Sequence, residues 1–172
     1  VFNSLERVSD QAKNVCEEAV FFVEGKRKPP KTYRVLFVEK NGSILAPLAV
    51  AYARKAHPES LAASAYACEP ADQLAGDVAE FLDQKGHGTE GLQPTKVELT
   101  DDELGKYHVV IGLDCNPSSC LHKPFRTAFL EWPIADEAAG LEDGGNAIEA
   151  NYRVIAGRVR DLSALLRGEE AD

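Results

Sequence analysis

Apolar residues in the first 24 positions recur at alternating spacings of three and four: Leu5, Val8, Ala12, Val15, Ala19 and Phe22. That rhythm predicts an amphipathic helix from Phe2 to about Glu24, with Gly25 as its C-cap. Residues 26–32 follow as a basic linker in which Pro29 and Pro30 cannot continue a helix. From Tyr33 onward the pattern changes to short apolar runs alternating with helical periods. Strands are predicted at Arg34–Val38, Leu61–Ala67, His108–Leu113 and Phe129–Trp132. Helices are predicted at Ile44–His57, with Pro47 in the first turn, and at Asp72–Lys85, with Leu74, Val78, Phe81 and Leu82 inward. A short capped helix is expected at Thr100–Leu104, and a loop rich in Ala, Gly and Asp after Trp132. A long helix from Asn146 to Leu166 carries Ile148, Tyr152, Ile155, Val159, Leu162 and Leu166 on one face.

This succession implies an α/β fold: a four-stranded parallel sheet with helices on both faces, joined by right-handed crossovers. The expected organisation is a separate helix over 1–25, a linker over 26–32 and an α/β domain over 33–172. In open sheets of this kind a ligand crevice lies at the carboxyl ends of the strands, here the segment from Glu39 to Leu45.

Composition narrows the function classes. The 172 residues are 44% hydrophobic and 27% charged, enough for one sizeable core plus an appendage. With 19 basic against 28 acidic residues, the net charge of −9 argues against nonspecific binding to nucleic acid or an anionic membrane. No apolar run reaches roughly 18 residues and no signal-peptide pattern is visible, so a cytoplasmic protein without membrane insertion is expected. Cys16, Cys68, Cys115 and Cys120 are scattered and fit a reduced compartment better than a disulfide framework. The chain begins at Val1 and has no Met, so a fragment of a longer protein is expected.

Candidate chemistry centres on the stretch Val35 to Pro47. A buried strand runs into Lys40-Asn41-Gly42-Ser43-Ile44 and then a helix, a junction where backbone N–H groups gather around an anion. The stretch resembles the low-molecular-weight protein tyrosine phosphatases and the thioredoxin-coupled arsenate reductases. Their first strand ends in a nucleophilic Cys, followed by five residues and then Arg-Ser-Pro. Glu39 stands at the Cys position, Leu45 at the Arg and Ala46 at the Ser, and Pro47 matches. The resemblance extends over Tyr33 to Leu166, including Tyr107–Asp114 as a third strand and Glu131–Glu137 as the Trp-Pro-x-x-Asp-Pro segment. It implies that Asp136 aligns with the acid that protonates the leaving group, with Glu137 in place of the usual Pro.

Such an enzyme needs a thiolate to attack and a guanidinium to grip the equatorial oxygens. Glu39 and Leu45 supply neither. A carboxylate about 4 Å from a bound phosphate costs on the order of 4 kcal/mol per unit charge at an effective dielectric of about 20. The loop is therefore expected to be inactive as a phosphatase and a poor phosphate receptor, unless a cation bridges Glu39 to an anion. Cys115 and Cys120 stand where arsenate reductases keep relay cysteines. Three readings are open for them: a loop with two reduced thiols, a redox-responsive pair, or a metal site with His122. His57, His87 and His108 read as surface or boundary histidines.

The first helix resembles the recurring helix of PhoU proteins, regulators of phosphate uptake, at Glu6, Arg7, Asp10, Asn14, Glu17 and Gly25. That resemblance implies metal ligation by Glu6 and Asp10, one turn apart on one face, toward iron, manganese or zinc. A solvated acidic face is the alternative. It also implies partners among phosphate transporter or sensor-kinase components. The apolar stripe of Leu5, Val8, Val15, Phe21 and Phe22 predicts a homodimer or helical bundle, because burying each such side chain is worth roughly 1.5–3 kcal/mol. The function expected from the whole chain is a non-catalytic phosphatase-fold module of a PhoU-type regulator. The alternative is a thiol-dependent arsenate reductase or phosphatase using Cys115 and Cys120.

Overall fold

The computed structural model describes residues 31–141 and 146–168. The expected first helix, with its candidate ligands Glu6 and Asp10, lies outside the described residues. The four strands are β1 (Tyr33–Glu39), β2 (Leu61–Ala67), β3 (Val109–Leu113) and β4 (Ala128–Trp132). All pair in parallel in the order β2-β1-β3-β4, and β1 is in register with Ala67 of β2 and Leu113 of β3 at Glu39. Central β1 and β3 are buried on both faces, which is why their sequences read as unbroken apolar runs.

The helices are α1 (Leu45–Ala56), α2 (Gly76–Gln84), α3 (Asp101–Leu104), α4 (Ile134–Ala139) and α5 (Ala147–Arg167). Val35 and Phe37 join one apolar cluster with residues of α1, α2, α4 and α5, including Leu48, Val78, Leu82, Ile134, Ile155 and Val159. Leu36 and Val38, pointing the other way, join a smaller cluster with Leu104 of α3, Tyr107, Val110 and Leu121. Among the described residues no helix is long and apolar enough to cross a membrane.

Local chemistry sets the ends. Thr100 forms a reciprocal capping box with Glu103 at α3, Asn146 accepts from the Ile148 N–H at the start of α5, and α5 ends at Gly168 with φ 75°. Three expectations are corrected. The expected helix from Asp72 begins only at Gly76, because the N–H groups of Ala71 and Ala75 donate to the carbonyls of Asn41 and Ser43 instead of serving a helix. The expected loop after Trp132 contains α4, which starts after Pro133 with Asp136 and Glu137 in its first turn. Arg158 of α5 donates through Nε and Nη2 to the two carboxylate oxygens of Glu137 and ties α4 down. His87 is buried rather than superficial, bonded to the Tyr152 hydroxyl at 2.7 Å.

Candidate functional site

The strand-to-helix junction at the end of β1 has the backbone form that anion binding needs, and one of its own side chains fills it. Gly42 has φ 70°, and an added Cβ there would stand 2.9 Å from the Ala67 Cβ, so the tight turn depends on glycine. The Asn41 side chain accepts from the Ser43 N–H at 3.3 Å and helps set the turn. Ile44, which precedes α1, provides no side-chain cap. Glu39 Oε2 accepts instead from the N–H groups of Ile44 at 3.3 Å, Leu45 at 3.0 Å and Ala46 at 3.0 Å. These are among the amides that a helix start leaves without partners, and a carboxylate oxygen occupies the position where an anion would be held.

This changes the electrostatic argument. Glu39 was expected to repel an anion seated beside it; it fills the amide cradle, and its residue is only 7% exposed. Burial pushes its carboxyl above the ordinary glutamate range, the three backbone donors pull in the opposite direction, and the Asp114 carboxylate adds to the upward push. Of the expected loop residues, only Ile44 gives an N–H to this cradle; Leu45 and Ala46 supply the others. Lys40 is exposed on the rim. Leu45, at the position where the resemblance places Arg, is buried in the larger apolar cluster.

A recess of about 280 Å³ over this junction is lined by Glu39, Asn41, Leu45, Leu113, Asp114 and Asn151. Asp114 is the site residue that sequence reasoning passed over as a site. It directly follows β3 at the carboxyl end of the sheet, has φ 51°, and accepts from the Ala135 N–H at 3.1 and 3.2 Å through its two oxygens. Its place immediately after an apolar strand was the available signal. Asp114 also borders a wider neighbouring cleft of about 670 Å³ with Cys115, Glu131, Trp132 and Asp136. Asp136 therefore lies in that cleft, exposed in the first turn of α4, and is not among the residues lining the recess over Glu39.

The cysteines depart from expectation. Cys120 is joined to Cys68 in a disulfide, so the scattered cysteines are not all reduced, and Cys115 does not pair with Cys120. Cys115 is a free thiol, half-buried, with its Sγ donating to the Val38 carbonyl at 3.4 Å. Burial pushes this thiol up, and the carboxylates of Glu39, Asp114 and Glu131 push it further, against a backbone hydrogen bond at Leu113. Few such thiols are ionised at neutral pH, and the thiolate is the nucleophilic form. The expected metal set also fails to assemble. His122 is exposed with its ring 3.7 Å from Asp101, Cys120 is spent in the disulfide, and no group of three ligating side chains occurs among the described residues.

No family model and no curated protein matches the sequence. Solved structures do. The thioredoxin-dependent arsenate reductase Cg_ArsC1' of Corynebacterium glutamicum is 24% identical with a TM-score of 0.63, over 87% of this chain and 69% of that one. An arsenate reductase from Archaeoglobus fulgidus is 24% identical with a TM-score of 0.53, over 78% and 99%. The tyrosine phosphatase Wzb from Escherichia coli K30, in complex with sulphate, is 10% identical with a TM-score of 0.54, over 78% and 99%. Sheet order, helix layers and these likenesses agree that the chain has the three-layer α/β fold of the low-molecular-weight phosphatases and arsenate reductases.

Proposed function

We propose that the α/β domain is a phosphatase-fold module that has exchanged phosphoryl chemistry for binding or assembly. The observation that carries this reading is the Glu39 carboxylate seated on the amides of Ile44, Leu45 and Ala46. In such a fold these amides orient an oxyanion, and here they are already satisfied by a side chain that carries the same charge. An incoming phosphate would have to displace it and then sit beside it and Asp114. Leu45 offers no guanidinium to compensate, and Asp136 has no nucleophile to serve. The PhoU-like features of the first helix suggest that the module belongs to a cytoplasmic regulator of phosphate uptake, with phosphate transporter or sensor-kinase components as partners.

A second reading has its own support. The structural neighbours include arsenate reductases, one of them in a phosphate-binding state, and Cys115 is a free thiol lining the wider cleft next to the recess. Under that reading Cys115 is the nucleophile of a rearranged reductase or phosphatase. Its raised thiol and its three acidic neighbours weigh against it, because they disfavour both a thiolate and an approaching oxyanion.

One assay separates the two. The wild-type protein is expected to turn over neither an aryl phosphate nor arsenate in the presence of a dithiol. Turnover that disappears in Cys115→Ser would overturn the binding-module reading. In the same preparation, inorganic phosphate should leave the amide resonances of residues 44–46 unmoved in the wild type and shift them in Glu39→Ala.

A further inference from the structure

The segment that follows β2 is bonded to the anion loop along its length. Cys68 N–H donates to the Glu39 carbonyl at 3.3 Å, Glu69 to Lys40 at 2.8 Å, Ala71 to Asn41 at 2.9 Å and Ala75 to Ser43 at 3.2 Å. Residues 68–75 thus hold the carbonyl side of the loop while Glu39 holds its amide side. The first residue of this clamp, Cys68, is the one joined to Cys120. Cys120 lies beyond β3, on the other side of β1 in the strand order, so the disulfide spans the end of the strand that carries Glu39.

The far anchor is itself firmly placed. A Cβ on Gly112 would come within 2.0 Å of the Cys115 carbonyl oxygen and 2.6 Å of Pro117 Cδ, so the chain leaving β3 folds directly back over its own strand. Pro117 and Leu121 are buried, and the Leu121 N–H donates to the Pro117 carbonyl at 3.0 Å. Both bonded cysteines are half-buried rather than enclosed in the core. They pack with Cys115 against the smaller apolar cluster, where α3 is the only helix among the described residues to contribute buried apolar residues.

We propose that the Cys68–Cys120 disulfide is a redox-operated latch on the 39–46 loop. Closed, it pins the 68–75 clamp. Opened by a cellular dithiol, it frees the clamp and makes the loop accessible. The step is a thiol–disulfide exchange: the dithiol gives two electrons and two protons, the Cys68–Cys120 bond breaks into two thiols, and the dithiol closes to its own disulfide. The clamp would open on reduction whether the loop binds, catalyses or does neither.

The test is peptide mapping by mass spectrometry of the full-length protein, with and without excess dithiothreitol, followed by amide exchange on both forms. The non-oxidising map should show Cys68 bonded to Cys120, and native-state reduction should open it. Exchange at Glu69, Ala71 and Ala75 should then accelerate at least about tenfold more than exchange in the interior of α1, as expected for a local opening added to the general loss of stability. Cys68→Ser should exchange at the reduced rate in either condition, and Cys115→Ser should behave as wild type. A Cys115–Cys120 bond, a disulfide that resists the dithiol in the folded protein, or equal exchange in both forms would each overturn the latch. Failure of the Glu39 plug would instead appear at Ile44, Leu45 and Ala46 in Glu39→Gln, leaving the clamp amides unaffected.

Discussion

The two faces of the sheet are held by different means. On one, Val35 and Phe37 of the central strand meet α1, α2, α4 and α5 in an extended apolar cluster. On the other, Leu36 and Val38 of the same strand meet the single turn of α3, a few loop residues and three cysteines, two of them bonded to each other. Apolar burial does most of the work on the first face because side chains removed from water contribute in proportion to their area. The second face has less of that area, and a covalent link across β1 supplements it. The same link borders the loop where Glu39 sits, while Leu45 of α1 and Asn151 of α5 line the recess over that loop from the helix-covered side, so both faces adjoin the candidate site.

This contrast can be broken or sharpened by substitution. The largest effect should come from the helix-covered face: Phe37→Ala, at a fully buried position, should lower stability by about 3–5 kcal/mol in urea denaturation. The loss should be the same with and without reductant; a redox-dependent loss would show that the faces are not separately held. Next, Cys68→Ser should cost about 2–4 kcal/mol in non-reducing conditions, since the bond closes a long loop. Its sequence separation is 52 residues. Reducing the wild type should bring it to the same midpoint, and a wild-type midpoint indifferent to reductant would remove the disulfide from the account of this face.

Smaller effects follow. Thr100→Ala removes the capping box of α3 and should cost about 1 kcal/mol, measured by thermal or urea unfolding. A loss near zero would mean that Leu104 is held by packing alone. The last prediction is a slope. Because the folded Glu39 carboxyl lies above its unfolded value, the native state retains a proton that the unfolded chain has released. Its contribution to stability is complete below the unfolded value of about 4.3 and is lost as pH rises through the folded value. Wild-type stability should therefore decline relative to Glu39→Gln as pH rises through that window. Parallel curves from urea midpoints at several pH values would contradict the buried placement of this carboxyl.

His87 shows the opposite sign from the same main cause, burial. Burial is the main reason its imidazole is pushed below the ordinary histidine range, with Lys55 and Lys85 adding to the shift against a backbone hydrogen bond at Ala51. The unfolded chain then takes up a proton that the folded state resists, and stability falls as pH drops below about 6.5 toward the folded value. A histidine between two glycines, at Gly86 and Gly88, read as a surface turn because its sequence neighbours are turn residues. Its burial depends on Tyr152, which lies on α5 and reaches it only in the folded chain.

Much of the fold was legible in the chain. Unbroken apolar runs marked β1 and β3, a small-residue stretch marked β2, and the short run Phe129–Trp132 marked β4. The 3.6-residue period of 146–166 marked α5 to within a residue at either end. Gly42 and Asn41 marked the turn, and Thr100 with Glu103 marked the cap of α3. These signals are local, since periodicity, caps and turns are set by residues a few positions apart. Helix α4 escaped because six residues are too few to display a period.

The site was legible only as a position. Sequence placed Glu39 and Leu45 at the junction, but whether the carboxylate pointed away from the amides or into them depended on the φ of Gly42 and on the clamp from residues 68–75. Cys120 has Cys115 close by in sequence, yet its partner is Cys68, because β2 and β3 flank β1 and bring their following loops together across it. The amino-acid sequence by itself determined most of the elements, the loop and the absence of a Cys and an Arg at Glu39 and Leu45. Only the tertiary structure decided what fills the loop and which thiols meet, because both depend on strand order and backbone path, which no local pattern encodes.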